Sequence, residues 1–349
     1  MKYFYNSFLV TFLGLIAGAY LGWDQSGTLQ GMFTVVFIVA VLGVLEVSLS
    51  FDNAVVNATV LEHMDPVWQR RFITWGIAIA VFGMRIVFPV IIVAIIARIG
   101  PIDAVILAAS DPDEYSRLLT SAHVSVSAFG GAFLAMVGLK HFFDAEKDVH
   151  WLAWIEQPLT RLGRIASVEL GVVMLLLWVI GRELPEHEQI EFMVSGIFGL
   201  VTYIAVDGLS AILDAESAAA TTDTVVRSGF ASFMYLEVLD ASFSFDGVIG
   251  AFALSNNLFI IAIGLGIGAM FVRSLTIMLV NKGTLTQYRY LEHGAFYAII
   301  ALGVIMFLKT LMHIPEAITG LIGAGFIGLA FWDSIRHNRR ERSREQLGI

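Results

Sequence analysis

The chain has 349 residues, 57% of them hydrophobic and 15% charged, with a formal net charge of -9 and a mean hydropathy of +0.78. A soluble domain carries about 25% charged residues, so composition excludes the pair of soluble domains that length alone would suggest. No basic patch points to nucleic acid, and the absence of cysteine excludes disulfides, thiolate metal sites and thiol catalysis.

Ten apolar segments follow in chain order, at about 4–22, 31–61, 72–98, 123–143, 165–181, 190–213, 229–255, 258–280, 292–312 and 315–334. Runs of about 20 apolar residues cross a bilayer, so the expected fold is an all-α polytopic membrane protein of about ten transmembrane helices. The first run, with Lys2 ahead of it, has the outline of a signal peptide; we read it as a retained helix. The loops test the layout through the excess of Lys and Arg on the cytoplasmic side. With Lys2 inside, the connections holding Arg70-Arg71, Lys147 to Arg164, Arg227 and Lys282 to Arg289 are cytoplasmic, as is the tail from Arg336 to Arg344. Asp24, Asp111 to Glu114, Glu183 to Glu191, Ser255-Asn256-Asn257 and His313 fall on the opposite side. The expectation is a multi-pass protein of the cell inner (cytoplasmic) membrane with both termini cytoplasmic.

An acidic phrase occurs twice inside these apolar runs. The copies are Glu46-Val-Ser-Leu-Ser-Phe-Asp52-Asn53 and Asp240-Ala-Ser-Phe-Ser-Phe-Asp246-Gly247. An intramembrane carboxylate costs several kcal/mol and marks a functional site by default. The repeat extends further: Arg85 lies nine residues after Gly76 and Arg273 nine after Gly264, and later runs end in Leu139-Lys140 and Leu308-Lys309. The chain therefore divides into five-helix halves at 1–185 and 186–334, followed by a basic cytoplasmic tail at 335–349. Five is odd, so the second half enters from the opposite face. That is an inverted repeat, a common architecture of secondary transporters whose site lies near mid-bilayer.

Positions six apart differ by about 120° around a straight helix, so Glu46 and Asp52 would not share a face. The 31-residue second segment would also be about 46 Å long as one helix, against a hydrocarbon layer of about 30 Å. Asn53 and Gly247 tolerate left-handed backbone. We therefore expect both helices to break at Phe-Asp-(Asn/Gly), at Asp52 and at Asp246.

Glu46, Asp52, Asp240, Asp246 and Glu237 make five acids, and Arg85 and Arg273 subtract two charges, so the site favours a cation. Hard oxygen donors suit Mn²⁺, Mg²⁺ or Ca²⁺. Ser48, Ser50, Ser242 and Ser244 are secondary candidates, because membrane-helix serines commonly bond their own backbone. Asp207 is a further secondary candidate, without an acidic match in the first half.

The phrase Leu45-Glu46-Val-Ser-Leu-Ser-Phe-Asp52-Asn53-Ala54 resembles the TerC family of integral membrane proteins, within a broader superfamily of cation and amino-acid exporters. Gly130-Gly131 and the run to Lys140 are similar to that family's next helix. The resemblance implies export of Mn²⁺ or a related divalent cation, a link to tellurite resistance, and ligands at Glu46, Asp52, Asn53, Asp240 and Asp246. The second copy departs from the pattern, with Gly247 in place of asparagine and Glu237 added. The expectation is a secondary transporter rather than an enzyme, working by alternating access. Its substrate is a divalent cation, with Mn²⁺ favoured and Ca²⁺ or Mg²⁺ alternatives, and it holds no permanent cofactor. No nucleotide-binding loop is present, so proton coupling is the expected drive. The partners are the bilayer, the ion and protons, and a homodimer is possible. The competing reading is a membrane-protein assembly or stress-response scaffold without transport.

Overall fold

The structure is a computed structural model that describes residues 2–145, 147–220, 229–252 and 254–347. The side chains of Ile77, 210–220, Phe245, Asp246, Glu316, Ala317, Arg342 and 344–347 lie outside the described residues, and so does all of 221–228. Among the described residues there is no strand. A single 3₁₀ turn (Lys2–Phe4) precedes α1 (Tyr5–Ser26), α2 (Leu29–Leu49), α3 (Phe51–Glu62) and α4 (Pro66–Ala78). A π-helical stretch (Ile79–Val87) then leads into α5 (Phe88–Ala97), α6 (Pro101–Ser110), α7 (Pro112–Ser121) and α8 (His123–Phe143). The rest is α9 (Ala153–Leu162), α10 (Val168–Glu183), α11 (Glu186–Ala220), α12 (Gly229–Phe252), α13 (Leu258–Asn281), the short α14 (Thr284–Gln287), α15 (Leu291–Lys309) and α16 (Glu316–Leu347).

The helix ends follow from local chemistry. Thr28 caps α2 by accepting from the N–H of Gly31 at 3.1 Å. Asp65 and Asp111 cap α4 and α7, each followed by a proline at the first helical position. Asn257 accepts from the N–H groups of Phe259 and Ile260 at the start of α13. Gly27 closes α1 with a φ of 62°, the left-handed cap that glycine takes without strain.

Among the described residues eight helices are long and apolar enough to cross a membrane, against ten apolar segments in the sequence. The two segments outside that set are α10, only 16 residues long, and α12, which carries Glu237, Asp240 and Asp246. The helices grade from rim to centre. Within its candidate span α1 is 11% buried and α13 is 78% buried. The outer helices present Phe12, Phe37 and Leu321 outward, the surface a bilayer covers. At the centre α13 crosses α2 and α3, and α15 packs on α8. Glycines set the closeness of the α2–α13 crossing, because a Cβ on Gly264 would meet Leu42 and one on Gly268 would meet Glu46. Small residues at membrane helix interfaces allow such approaches.

The second segment is broken, as its length demanded. Its break falls at Ser50 (φ -102°, ψ 20°), two residues before Asp52. The expected break at Asp246 is corrected: α12 is one helix through Asp246-Gly247. Gly247 serves a close approach instead, since a Cβ there would lie 3.2 Å from Oε2 of Glu46. A glycine inside a helix answers two needs, a left-handed turn or a near neighbour, and sequence alone does not separate them.

Hydrogen bonds between connections gather at two ends of the bundle. At one end Thr286 meets Glu62, Asn338 meets the carbonyl of Gln287, and Trp151 meets Asp333. At the other, Asn256 donates to Asp113 at 2.6 Å, and Ser125 bonds Glu191.

Candidate functional site

The two acidic phrases meet in the middle of the bundle. Glu46 sits in the last turn of α2, where Ser50 Oγ donates to its Oε1 at 3.0 Å. The same oxygen receives Nη2 of Arg85, the closest buried ion pair of the site. Arg85 Nη1 donates to the carbonyl of Ala80 at 2.6 Å, while its Nε has no partner. Arg85 stands in the π-helical stretch, so first-half elements supply both members of this pair.

Just past the break, Asp52 occupies the first turn of α3 and accepts from the N–H of Asn53 at 2.9 Å. A carboxylate is favoured there by the positive end of the helix. Its other oxygen lies against α16, where a Cβ on Gly323 would come within 2.7 Å of it. Asn53 and Asn57, one turn apart, share the inner face of α3. Asn57 Nδ2 donates to Asp240 Oδ1 at 2.7 Å, joining the two halves, and the Oδ1 atoms of both asparagines have no partner.

From the second half, Glu237, Asp240 and Ser244 line up along one face of α12 at spacings of three and four. Glu237 is buried, and neither of its carboxylate oxygens has a hydrogen-bond partner. Arg273 on α13 stands within electrostatic reach of Asp240 and Glu237. Its Nη2 donates to the carbonyl of Phe72, and its guanidinium lies 3.6 Å from that ring's centre. Gly76 makes room for this arrangement, because a Cβ there would collide with the Arg273 guanidinium and press Glu237 Oε1 at 3.1 Å.

These groups enclose a cavity lined by Glu46, Ser50, Asn53, Asn57, Arg85, Asp240, Ser244, Arg273 and Thr276 among others. It offers about 20 Å³ to the centre of a water-sized sphere, slightly above the about 10–15 Å³ that one water needs. A second cavity of about 30 Å³ shares Glu46, Ser50 and Phe243 and adds Asp52, Gly247 and Thr319. The space thus suits single ions or waters, not an organic substrate.

The structure sorts the expected residues. Glu46, Asp52, Asn53, Glu237, Asp240, Ser50, Ser244, Arg85 and Arg273 come together, while the side chain of Asp246 lies outside the described residues. Ser48 is corrected: it is exposed and donates to the carbonyl of Val44 on its own helix. Ser242 likewise donates to Val238 and faces α8. Asp207 is also corrected, since it pairs with Lys140 at 2.6 Å on an exposed surface between α11 and α8. Sequence reasoning missed Asn57, Thr276 and Thr319. The signal for Asn57 was present, as an amide one turn after Asn53 inside an apolar run. Among the described residues no three His, Cys, Asp or Glu side chains converge on a point that would hold a metal ion. The nearest carboxylates are held by Arg85 and Asn57 instead.

Residues 51–341 match the protein family described as "Protein of unknown function (DUF475)", and the chain belongs to that family. Comparison with curated proteins and with solved structures gave no match.

Proposed function

We propose that this member of the DUF475 family is a secondary transporter that exports a divalent cation, Mn²⁺ foremost, through the buried carboxylate cavity by alternating access of two inverted halves. The observation that carries the reading is the cavity itself. Glu46 and Asp240 line it with two arginines and two amides, Asp52 lines the adjoining cavity, and Glu237 is buried beside Arg273, between α2–α3 and the π-helical stretch on one side and α12–α13 on the other. Uncompensated carboxylates cost several kcal/mol there, so a merely structural role would be served more cheaply by apolar side chains.

The packing around the cavity supports two inverted halves. α3 packs on α15 while α8 packs on α12, and α2 packs on α13 while α12 packs on α4 and the π-helical stretch. Each relation pairs a segment with its partner's counterpart, as a two-fold axis in the membrane plane requires. Ten crossings follow when α2 with α3, and α4 with the π stretch and α5, each count as one interrupted span beside α10 and α12. An interrupted backbone is tolerated at this depth where it lines a cavity. The donors are carboxylate, amide and hydroxyl oxygens, which suit Mn²⁺, Mg²⁺ or Ca²⁺. The likeness of the first phrase to the TerC family points the same way and favours Mn²⁺ among them. Proton coupling would supply the drive.

Purified protein in proteoliposomes, with Mn²⁺ flux followed by a trapped fluorescent indicator, tests the proposal. Glu46→Gln and Asp240→Asn each abolish flux while leaving insertion and the melting transition in place. Undiminished Mn²⁺ flux with both changes present overturns it, and indifference to the buried acids is what an assembly scaffold would show.

A further inference from the structure

Among the described residues Ile79–Val87 is a π-helical stretch, the backbone that carries Arg85. π-helices occur mostly as single-turn bulges and concentrate at functional sites, whereas this one runs for nine residues. It carries Arg85, which is 5% exposed and pairs with Glu46 and the carbonyl of Ala80. Its counterpart Arg273 sits on the uninterrupted α13, clamped by the carbonyl and ring of Phe72. The two buried arginines are therefore mounted differently, one on an irregular element and one on a rigid helix.

The cavity between them is prepared for a cation in one respect and blocked in another. Asn53 Oδ1, Asn57 Oδ1 and Ser244 Oγ are buried without partners. The Glu46 carboxylate, which would add the charge such oxygens lack, is taken by the Arg85 guanidinium.

We propose that Arg85 is a tethered competitor for the transported cation. Its guanidinium neutralises Glu46 when no ion is bound and gives Glu46 up when a divalent cation enters, with the π-helical stretch as the element that lets it leave. This deepens the transport reading above and rests on it. A bare carboxylate at bilayer depth is costly, so the ion-free protein needs a substitute charge before its two halves can return. Drawing the backbone ahead of Arg85 from π into α register turns Arg85 about the helix axis. That rotation carries Arg85 off Glu46. Competition is reciprocal: whatever factor the ion costs the arginine pair, the arginine costs the ion.

The test measures Mn²⁺ binding to the purified full-length protein by calorimetry. It also measures flux in proteoliposomes in two modes, net uptake down a gradient and exchange of Mn²⁺ for Mn²⁺. Arg85→Met binds Mn²⁺ about tenfold or more tightly, keeps exchange, and loses net uptake. Arg273→Met lowers the melting temperature without tightening binding. Folded Arg85→Met with unchanged or weaker Mn²⁺ affinity overturns the proposal. Should Arg85→Met fail to fold, Arg85→Lys decides. A lysine cannot hold carboxylate and carbonyl in one planar fork, so Mn²⁺ binding tightens by a smaller factor, and unchanged affinity overturns the proposal. Absence of Mn²⁺, Mg²⁺ and Ca²⁺ binding by the unaltered protein overturns the transport reading itself, a result distinct from the others.

Discussion

At the scale of single residues, two glycines fix where the Glu46 carboxylate can lie. Gly268 on α13 faces the stem of Glu46 and the carbonyl of Gly43, so an added Cβ would lie 2.6 Å from Glu46 Cγ and 2.8 Å from that carbonyl oxygen. Backbone cannot yield as a side-chain tip can. Gly268→Ala should therefore cost about 1–3 kcal/mol as overpacking does. Gly247 on α12 meets only the mobile end, Glu46 Oε2, at 3.2 Å. Alanine there gains helix propensity of up to about 1 kcal/mol while crowding the carboxylate. The two substitutions should separate in the same assays. Gly268→Ala lowers both melting temperature and Mn²⁺ flux, and Gly247→Ala lowers flux with the melting temperature kept or raised. Equal losses of stability would refute this assignment of the two glycines. The acidic phrases were legible in the sequence because buried charge is rare and a repeat of it rarer. Ser48 and Ser242 share the phrase but face away, since an eight-residue phrase goes more than twice around a helix and its spelling does not say which face is inward.

At the scale of elements, α9 is the clearest case of a helix held by one side chain. Glu156, with its side chain fully buried, pairs with Lys147 at 3.3 Å and accepts from the N–H groups of Trp151 and Leu152. Tyr297 of α15 donates to the same carboxylate at 3.3 Å, so the loop, α9 and α15 are tied at one point. Burial pushes the Glu156 carboxyl up, and the Leu152 N–H and the Lys147 ammonium more than offset this, leaving it below the usual carboxylate range. Burial holds Lys147 below the usual lysine range despite Glu156. A carboxyl whose folded pKa lies below its unfolded one stabilises fully above the ordinary value of 4.5. That stabilisation is lost as pH falls through the lower, folded value. The Glu156 contribution to thermal stability in detergent should therefore be complete at pH 7 and be lost over an acid limb below 4.5. Glu156→Gln should lose about 3–5 kcal/mol at pH 7 and lack this acid limb. An unaltered acid limb in that variant would rule out Glu156 as the group responsible. None of this was legible beforehand, because the contact joins an acid in the first turn of α9 to a tyrosine more than a hundred residues away. The break at Ser50 was legible to within two residues, from segment length together with Asn53 after Asp52. The continuity of α12 was not, because its glycine answers to Glu46 on another helix.

At the scale of the whole molecule, loop charge and loop contact agree. The connections that carry Lys and Arg touch one another: Glu62 with Thr286, Arg289 with His337, and Trp151 with Asp333. The acidic and amide connections meet at the other end, where Asp113 accepts from Asn256 and Ser125 bonds Glu191. Charge asymmetry is read by the insertion machinery one loop at a time, whereas the contacts depend on the finished bundle. Their agreement therefore tests the topology by two independent routes. On the proposed inverted halves, an odd number of crossings in each would bring the two acidic phrases to mid-bilayer from opposite faces. The chain contains no cysteine, so each introduced cysteine reports one position alone. Ser110→Cys, exposed in the acidic set, should react with an impermeant maleimide on intact spheroplasts. Ser343→Cys, exposed in the basic tail, should react only after permeabilisation. Labelling of both from outside would place the two ends of the bundle on one face, remove the opposed entry of the halves, and leave the shared cavity without a transport path between two compartments.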